Sequence, residues 1–590
     1  TGDMEFDALT VSNGDHLDLN GQRAVIDGVF DVDGTIDADG MFILNNAIDY
    51  DGSAFSNAHN CTMIFRNTTG GNITNDMVGV TNMKILAFLQ EAGSTHTIKG
   101  TNQYIMNGNV IVGGRIDLEN QSQTNIKDLK IPVGGELVPG SGTLTNSGDF
   151  TTSGGLIGKS ALHLNGSDQI VTVSDSSSMD AIATNDELTV EAWVNADDLS
   201  SSIADKSVIG RNAQFNINFE SSNDKIEWLV YIGGGFQTLS SNTLYTSLTA
   251  GKYIHVAGTW DGTTMKLYID GKLDTQSTPS GSMSDVSTDI LIGGYRAGNE
   301  KHWDGIISKC SVWSKALTEA QIRTQMFYDY TAINADDTNF DDTLMGKLVG
   351  WWQFDEGTGT STLDSTSNDN DGTLSSAAWA GAGTFTPGTS TVVMAKSGTQ
   401  TIAYTHLDND FSNLTINAGS TTQLLSIDGT GSLQDINRAL TVNGILKSHP
   451  DATGARIRLR GPAYDLTVGS SVKTTALANL ARIQIDGNGT FNIPELTTKR
   501  IFLTSSGTIV SASGPLTVTE EIQVDSGTTF NANGNTIATR IVDVNSGTLD
   551  LRNSTLNFSV SSSSDQLNMN SDSIMLSGNT TINGHSSASK

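Results

Sequence analysis

All eight tryptophans of this 590-residue chain fall between Trp193 and Trp379, and the stretches on either side carry few other aromatics. That division constrains the fold more than any single motif. A β-sandwich needs bulky side chains to fill the thickness between its sheets, whereas a narrow coil of stacked strands is filled by Val, Ile and Leu. The distribution predicts one Trp-rich globular unit, residues 154–384, between narrow-cored stretches at 1–153 and 385–590.

The flanks also repeat. Val11-Ser12-Asn13-Gly14 through Asn20-Gly21 returns as Val32-Asp33-Gly34 through Asp39-Gly40, an offset of 19 to 20 residues. Leu414-Thr415-Ile416, Leu440-Thr441-Val442 and Leu466-Thr467-Val468 recur at a spacing of 26, and Val524-Asp525-Ser526-Gly527 recurs as Val544-Asn545-Ser546-Gly547 at 20. Short strands and turns with such periods suit the coils of a parallel β-solenoid, each stacking its inward aliphatics on the next. Asn-Gly and Asp-Gly are equally good hairpin turns, so antiparallel sandwiches remain the alternative. The aromatic poverty of the flanks favours the solenoid.

Within the central unit, Gly350 to Thr373 reads GWWQFDEGTGTSTLDSTSNDNDGT. Alternation places Trp351, Gln353 and Asp355 on one side and Trp352, Phe354 and Glu356 on the other, as in a strand between two covered surfaces. The oxygen-rich tail that follows suits side-chain-capped turns or a cation loop. The run resembles a signature of the LamG-like, pentraxin-like family, the concanavalin A-type jelly rolls. ALHLNGSDQIVTV (161–173), LTVEAWV (188–194), HVAGTWDGTTMKLYIDG (255–271), Ile290 to Gly294 and WDGIISKCSVWSKALTEAQI (303–322) resemble further pieces of it. The order is permuted: the segment that usually opens the domain here follows the closing strand and helix. The expectation is that the Trp351–Phe354 strand returns beside the Ala161–Val173 segment. The fold class is therefore all-β, a concanavalin A-like jelly-roll sandwich flanked by β-solenoid regions. Gly383 to Leu414 resembles a linker-and-coil pattern of phage appendage and bacterial surface proteins.

Composition narrows the function. Only 16% of residues are charged, below the roughly 25% of an average globular chain. Acids outnumber bases 64 to 33, a formal charge of −31, and no Lys/Arg cluster stands out. Nucleic acid is not an expected partner, because phosphate neutralisation needs a basic surface. No run approaches the ~20 apolar residues of a membrane span. The start at Thr1-Gly2-Asp3 reads as a processed product or a fragment. Cys61 and Cys310 are expected as buried free thiols. Phosphate loops, paired Cys-x-x-Cys, zinc helices and nucleophile elbows do not occur in the sequence, so no enzymatic activity is expected, with polysaccharide cleavage the alternative.

The resemblance implies glycan or protein binding, with calcium as a possible cofactor. Asp168, Asp364, Asn370 and Asp371 are the candidate oxygen ligands. Where the family usually has Gly-x-Ile-Asp-Glu, this chain has Gly305-Ile306-Ile307-Ser308-Lys309, and a lysine argues against a cation there. The loop GGYRAGNEKHW (293–303) is the candidate ligand loop: Tyr295 supplies a ring face, Arg296 a fork, and Asn299, Glu300 and His302 polar partners. Trp193, Trp260, Trp303 and Trp313 are expected in the core. The combined reading is an extracellular structural and adhesive protein, a phage virion appendage or capsid-decorating fibre. A prokaryotic surface adhesin or surface-layer protein is the alternative. Its expected partners are copies of itself, a trimer favoured, neighbouring capsid, fibre or surface-layer subunits, and a cell-surface glycan.

Overall fold

The computed structural model describes residues 4–583, leaving out 51–61, 66–70, 76–84, 89–95, 100–106, 201–204, 296–300, 405–409, 427–432, 451–454, 461–464, 559–565 and some shorter pieces. Cys61 and Arg296, Asn299 and Glu300 of the candidate loop lie outside the described residues.

The repeats stack as parallel rungs. Val11 pairs with Val32, Leu414 with Leu440 and then Leu466, and Val524 with Val544. In the C-terminal half one coil runs through two strands, for example Leu516–Val524, which bends to serve two faces, and Thr529–Asn531, which forms the third. Their inward Leu516, Val518, Ile522, Val524 and Phe530 belong to a single apolar column running the length of the coil stack.

The two flanks are one solenoid, not two. Thr143–Asn146 pairs in register with Thr391–Met394, and Phe150–Thr151 with Ile402–Ala403, across the whole intervening unit. The insertion occupies one turn. Leu129 and Lys130 stack under Phe150 and Thr151, and Glu136 and Leu137 under Thr384 and Phe385. Residues 131–135 in one coil thus correspond to 152–383 in the next. Gly135 and Gly383 end these two connections. A Cβ would lie 1.8 Å from the Val112 carbonyl oxygen at the first and 2.3 Å from that of Ile131 at the second. Only glycine lets each turn settle on the rung beneath it.

The inserted unit is a two-sheet sandwich. In the first sheet Leu162–Asn165, Asp304–Trp313, Leu188–Ala196, Tyr253–Trp260, Met265–Ile269 and Lys272–Ser277 lie in that order, with Leu348–Trp352 also on Asp304–Trp313. The second runs from Gly235–Leu244 through Lys225–Ile232, Phe215–Glu220, Lys206–Arg211, Ile290–Ile292, Val171–Val173 and Gly372–Leu374 to Ser361–Thr362. Trp193, Trp260, Trp303 and Trp313 are all buried. Cys310 is a buried free thiol.

The permuted segment takes a different place from the one expected. Leu348–Trp352 pairs with Cys310–Trp313, while Leu162–Asn165 pairs with Asp304–Ile307 on the same edge, so the two lie end to end. The strand beside Val171–Val173 is Gly372–Leu374. Trp351 and Trp352 do face opposite sides, each into a different apolar cluster. The strand stops at Trp352, and Phe354 adopts a left-handed φ of 56°.

The first sheet is covered twice. Part of its outer face lies under the short helices Glu319–Gln325 and Tyr330–Asn334, capped by Thr318 and Asp329, and under Phe340. The rest docks on the solenoid: Trp193, Tyr253, Ile306, Met326 and Phe327 share an apolar cluster with the outward-facing Met41, Ile43, Ile64 and Ile111. Glu5 and Lys272 form an ion pair across the same junction. Hence Leu188–Ala196 is buried at all nine positions, and Met41–Leu44 at all four. Among the described residues neither helix nor solenoid covers the second sheet, but Ser207–Arg211 and Phe215–Phe219 are buried at every position, so its outer face is open to a ligand at the Lys225–Ile232 and Gly235–Leu244 strands.

Candidate ligand-binding site

Alternation decides which side chains of the second sheet point away from the core. In Phe215–Glu220, Phe215, Ile217 and Phe219 enter the core, which sends Asn216, Asn218 and Glu220 outward. In the next strand Trp228, Val230 and Ile232 point in, and Glu227, Leu229 and Tyr231 out. The hairpin at Gly233 and Gly234, with φ of 60° and 85°, then brings Phe236, Thr238 and Ser240 opposite Tyr231, Leu229 and Glu227.

The result is a polar ladder beside an aromatic ledge. Ser207 Oγ donates to Asn216 Oδ1 at 2.6 Å, and Asn218 Nδ2 donates to Glu220 Oε2 at 3.3 Å. Glu227 Oε1 accepts from Asn223 Nδ2 at 2.9 Å and Ser240 Oγ at 3.0 Å. Tyr231 and Phe236 meet edge to face at 5.0 Å, and Phe236 and Tyr295 at 6.1 Å. Phe236 is 38% exposed, an unusual position for a phenyl ring with no packing role outside this ledge. Three neighbouring rings offer a sugar an apolar surface for its C–H face, while Asn216 and Asn218 beneath are buried and spend their amides on the ladder itself.

The described ends of the 293–303 loop cross this face. Tyr295 lies over Gly210, where a Cβ would come within 2.7 Å of its ring. The loop is closed by Trp303 N donating to Gly293 O at 3.0 Å and Ser207 N to Lys301 O at 3.1 Å. Lys301 Nζ clasps Asp205 at 2.8 Å and Glu220 at 3.2 Å. Burial works against ionised Asp205, but the hydrogen bonds from Lys301 and Ser221 outweigh it and hold the carboxyl at about 2. His302 sits beside the clasp, and its Nδ1 is buried without a hydrogen-bond partner. The structure thus sets Tyr295 against Phe236 and leaves His302 next to Lys301 at the foot of the loop. Tyr231 and Phe236 are not singled out by the sequence reading, although the phenylalanine after the triple glycine signals an exposed ring.

The four candidate calcium ligands do not form one set. Asp168 and Asp371 flank opposite ends of the Val171–Val173 strand. Asp364 uses both oxygens to cap its own turn: Oδ1 accepts from Trp351 N and Thr366 N, and Oδ2 from Thr366 Oγ1 and Asn370 N. Asp371 accepts from Asp364 N, and Asn370 Nδ2 donates to Val349 O. A cation here would have to displace the hydrogen bonds that shape the loop, so these residues do not fit a calcium site. No group of three or more acidic, His or Cys side chains converges among the described residues.

A second polar cluster is wholly enclosed. Glu191 Oε1 meets Lys309 Nζ at 2.9 Å and accepts from Ser311 Oγ at 3.1 Å; Oε2 lies 3.2 Å from His255 Nε2 and accepts from Gln325 Nε2 at 2.9 Å. Lys309 Nζ also donates to Gln325 O and stands 4.1 Å from the Trp351 ring centre. Burial alone would push the Glu191 carboxyl up; Lys309 and His255 more than offset it and hold it at about 2. With Glu191, His255 and Lys309 fully buried, the cluster pins the helical segment to the sheet and is not open to a ligand.

Residues 165–323 match the family model described as the concanavalin A-like lectin/glucanase superfamily. The inserted unit is a concanavalin A-type jelly roll of the laminin G-like family. Similar solved structures include a candidate carbohydrate-binding protein from Bacteroides ovatus, at 20% identity and a TM-score of 0.29, covering 38% of this chain and 59% of that one. A heptameric SAP-like pentraxin from Limulus polyphemus shares 16% identity over 27% of this chain and 82% of its own, with a TM-score of 0.21. The LG4-5 domains of the mouse laminin α1 chain share 15% over 27% of this chain and 44% of theirs, with a TM-score of 0.22. No curated protein matches the chain. Among the described residues no helix is long and apolar enough to cross a membrane, which says nothing of a β-barrel.

Proposed function

We propose that this protein is an extracellular adhesive component that presents a laminin G-like module on the side of a β-solenoid and binds a neutral or weakly acidic glycan without cleaving it. The observation that carries the reading is the aromatic ledge of Tyr231, the exposed Phe236 and Tyr295, at the open edge of a sheet that neither helices nor solenoid cover among the described residues. The family match to lectins and glucanases, and the carbohydrate-binding description given to the Bacteroides ovatus protein, support a sugar as the ligand class. The formal charge of −31 supports a weakly charged one, because repulsion of polyanions acts over about 10 Å at 0.1 M salt. The solenoid build supports a place in a virion appendage or capsid-decorating fibre of a tailed phage, with a prokaryotic surface adhesin as the alternative setting. Trimerisation along the solenoid is part of the proposal.

Phe236→Ala should weaken binding to immobilised neutral surface polysaccharides by about tenfold or more, as expected for an exposed aromatic anchor. The thermal transition should hardly move, because that ring contributes nothing to the core. Undiminished binding would remove the ledge from the site, and new reducing ends during incubation would make the protein a hydrolase instead.

A further inference from the structure

The sequence shows no basic cluster, but coil stacking builds one. Arg456 pairs in register with Arg482, and the Ile483–Ile501 rung brings Arg500 directly after it. All three alternate with inward Ile457, Ile483 and Ile501, so they form an outward column at the strand spacing of about 4.8 Å. The column belongs to the solenoid and is independent of the jelly-roll site.

Nearby arginines are already neutralised. Arg458 grips Asp435 through Nε at 2.7 Å and Nη2 at 2.6 Å, and Arg460 Nη1 reaches the same carboxylate at 2.8 Å. Arg500 pairs with Glu520 at 2.7 Å. Arg456 and Arg482 have no carboxylate partner among the described residues. Arg482 stacks 4.8 Å from the Phe502 ring centre, and its buried Nε has no hydrogen-bond partner. Burial and the flanking Arg456 and Arg500 outweigh the opposing pull of Glu521 and push its guanidinium down to about 10. The column is thus compensated only at its Arg500 end, where Glu520 pairs with it and Glu521 stands in register, and the like charges of Arg456 and Arg482 disfavour the fold unless something anionic relieves them.

We propose that the Arg456–Arg482–Arg500 column is a binding site for an extended anionic polysaccharide, whose carboxylate or sulfate groups lie along the solenoid axis. Two features select this ligand. The guanidinium fork matches planar or tetrahedral oxyanions bidentately. The advance of an extended pyranose chain per sugar is close to the spacing of successive coils, so neighbouring charged sugars can meet neighbouring arginines. Duplex nucleic acid fits poorly, because a column of three charges cannot hold a rod of dense phosphate against a protein of net charge −31. The overall charge repels polyanions at a distance, while the column acts at contact, so binding should be slow to form and strongly salt-dependent.

The test measures binding of the full chain to polygalacturonate, dextran sulfate, unsubstituted dextran and single-stranded DNA at low ionic strength. The proposal expects binding to polygalacturonate, to dextran sulfate or to both, none to plain dextran through this face, and loss of binding as salt is raised. The two anionic polymers distinguish carboxylate from sulfate. The double variant Arg456→Gln, Arg482→Gln should bind about tenfold more weakly or worse. Arg456→Gln alone covers the case in which the double variant loses its solenoid transition, and should weaken binding in the same direction. Phe236→Ala should leave this binding unchanged, which separates it from the jelly-roll site. Absence of polyanion binding by the unaltered protein, equal binding by the arginine variants, or tighter binding of single-stranded DNA than of either polysaccharide would overturn it.

Discussion

Glu191→Ala is expected to destabilise the jelly roll by about 3–5 kcal/mol, because it strips Lys309 of its partner in a site with no access to water. Set against a domain stability of about 5–15 kcal/mol, that loss brings the module close to unfolding at ambient temperature. The solenoid should survive. Every tryptophan lies in the module, so intrinsic fluorescence reports its denaturation separately from the β-sheet dichroism of the whole chain. An unshifted fluorescence midpoint would show that the cluster is dispensable. The same carboxyl gives a pH signature. Folding lowers it from an ordinary 4.5 to about 2, so its contribution is complete above about pH 4.5 and drains away as pH falls towards 2. Module unfolding in acid should therefore precede solenoid unfolding, and Glu191→Gln should flatten that dependence.

Excising the module should leave a folded solenoid with a new defect. Residues 152–383 correspond to the five-residue turn 131–135 of the coil below, so replacing one with the other restores an uninterrupted ladder. Parallel-sheet dichroism and a cooperative melt should persist. The outward Met41, Ile43, Ile64 and Ile111 then lose their cover, each forfeiting about 1.5–3 kcal/mol of burial, and the shortened chain should self-associate. Changing Met41 and Ile43 to Thr should restore solubility. An unfolded excision variant, even with those changes, would mean that the flanks do not form one solenoid.

What the sequence revealed, and what it hid, follows from how local each determinant is. The period of the coils was legible because every rung obeys the same rule, with Leu440 stacked on Leu414 as Val544 is on Val524. The jelly roll was legible from its motifs, and the buried tryptophans from their alternation. The single continuous ladder was not, since the Thr143–Thr391 pairing is formed by residues separated by the whole module. Nor was the all-apolar Met41–Leu44, whose lack of alternation is caused by a partner far along the chain. Glu191 sits in a strand that otherwise reads as core, and its reason for being there, Lys309, arrives only in the closing strand. That lysine was read as an argument against a cation and proves to be the partner of a buried acid. The arginine column was hidden for the same reason: RIRLR is visible at 456–460, but Arg482 and Arg500 join it only by stacking.

The most direct test of the adhesive reading is hydrogen–deuterium exchange on the intact protein with and without a saturating neutral glycan selected by binding. The account predicts slowed exchange in the strands 215–220, 225–232 and 235–244 and at the 293–303 loop, with Glu191 and its neighbours unchanged. Protection confined to the solenoid, or to the 364–371 turn, would contradict it.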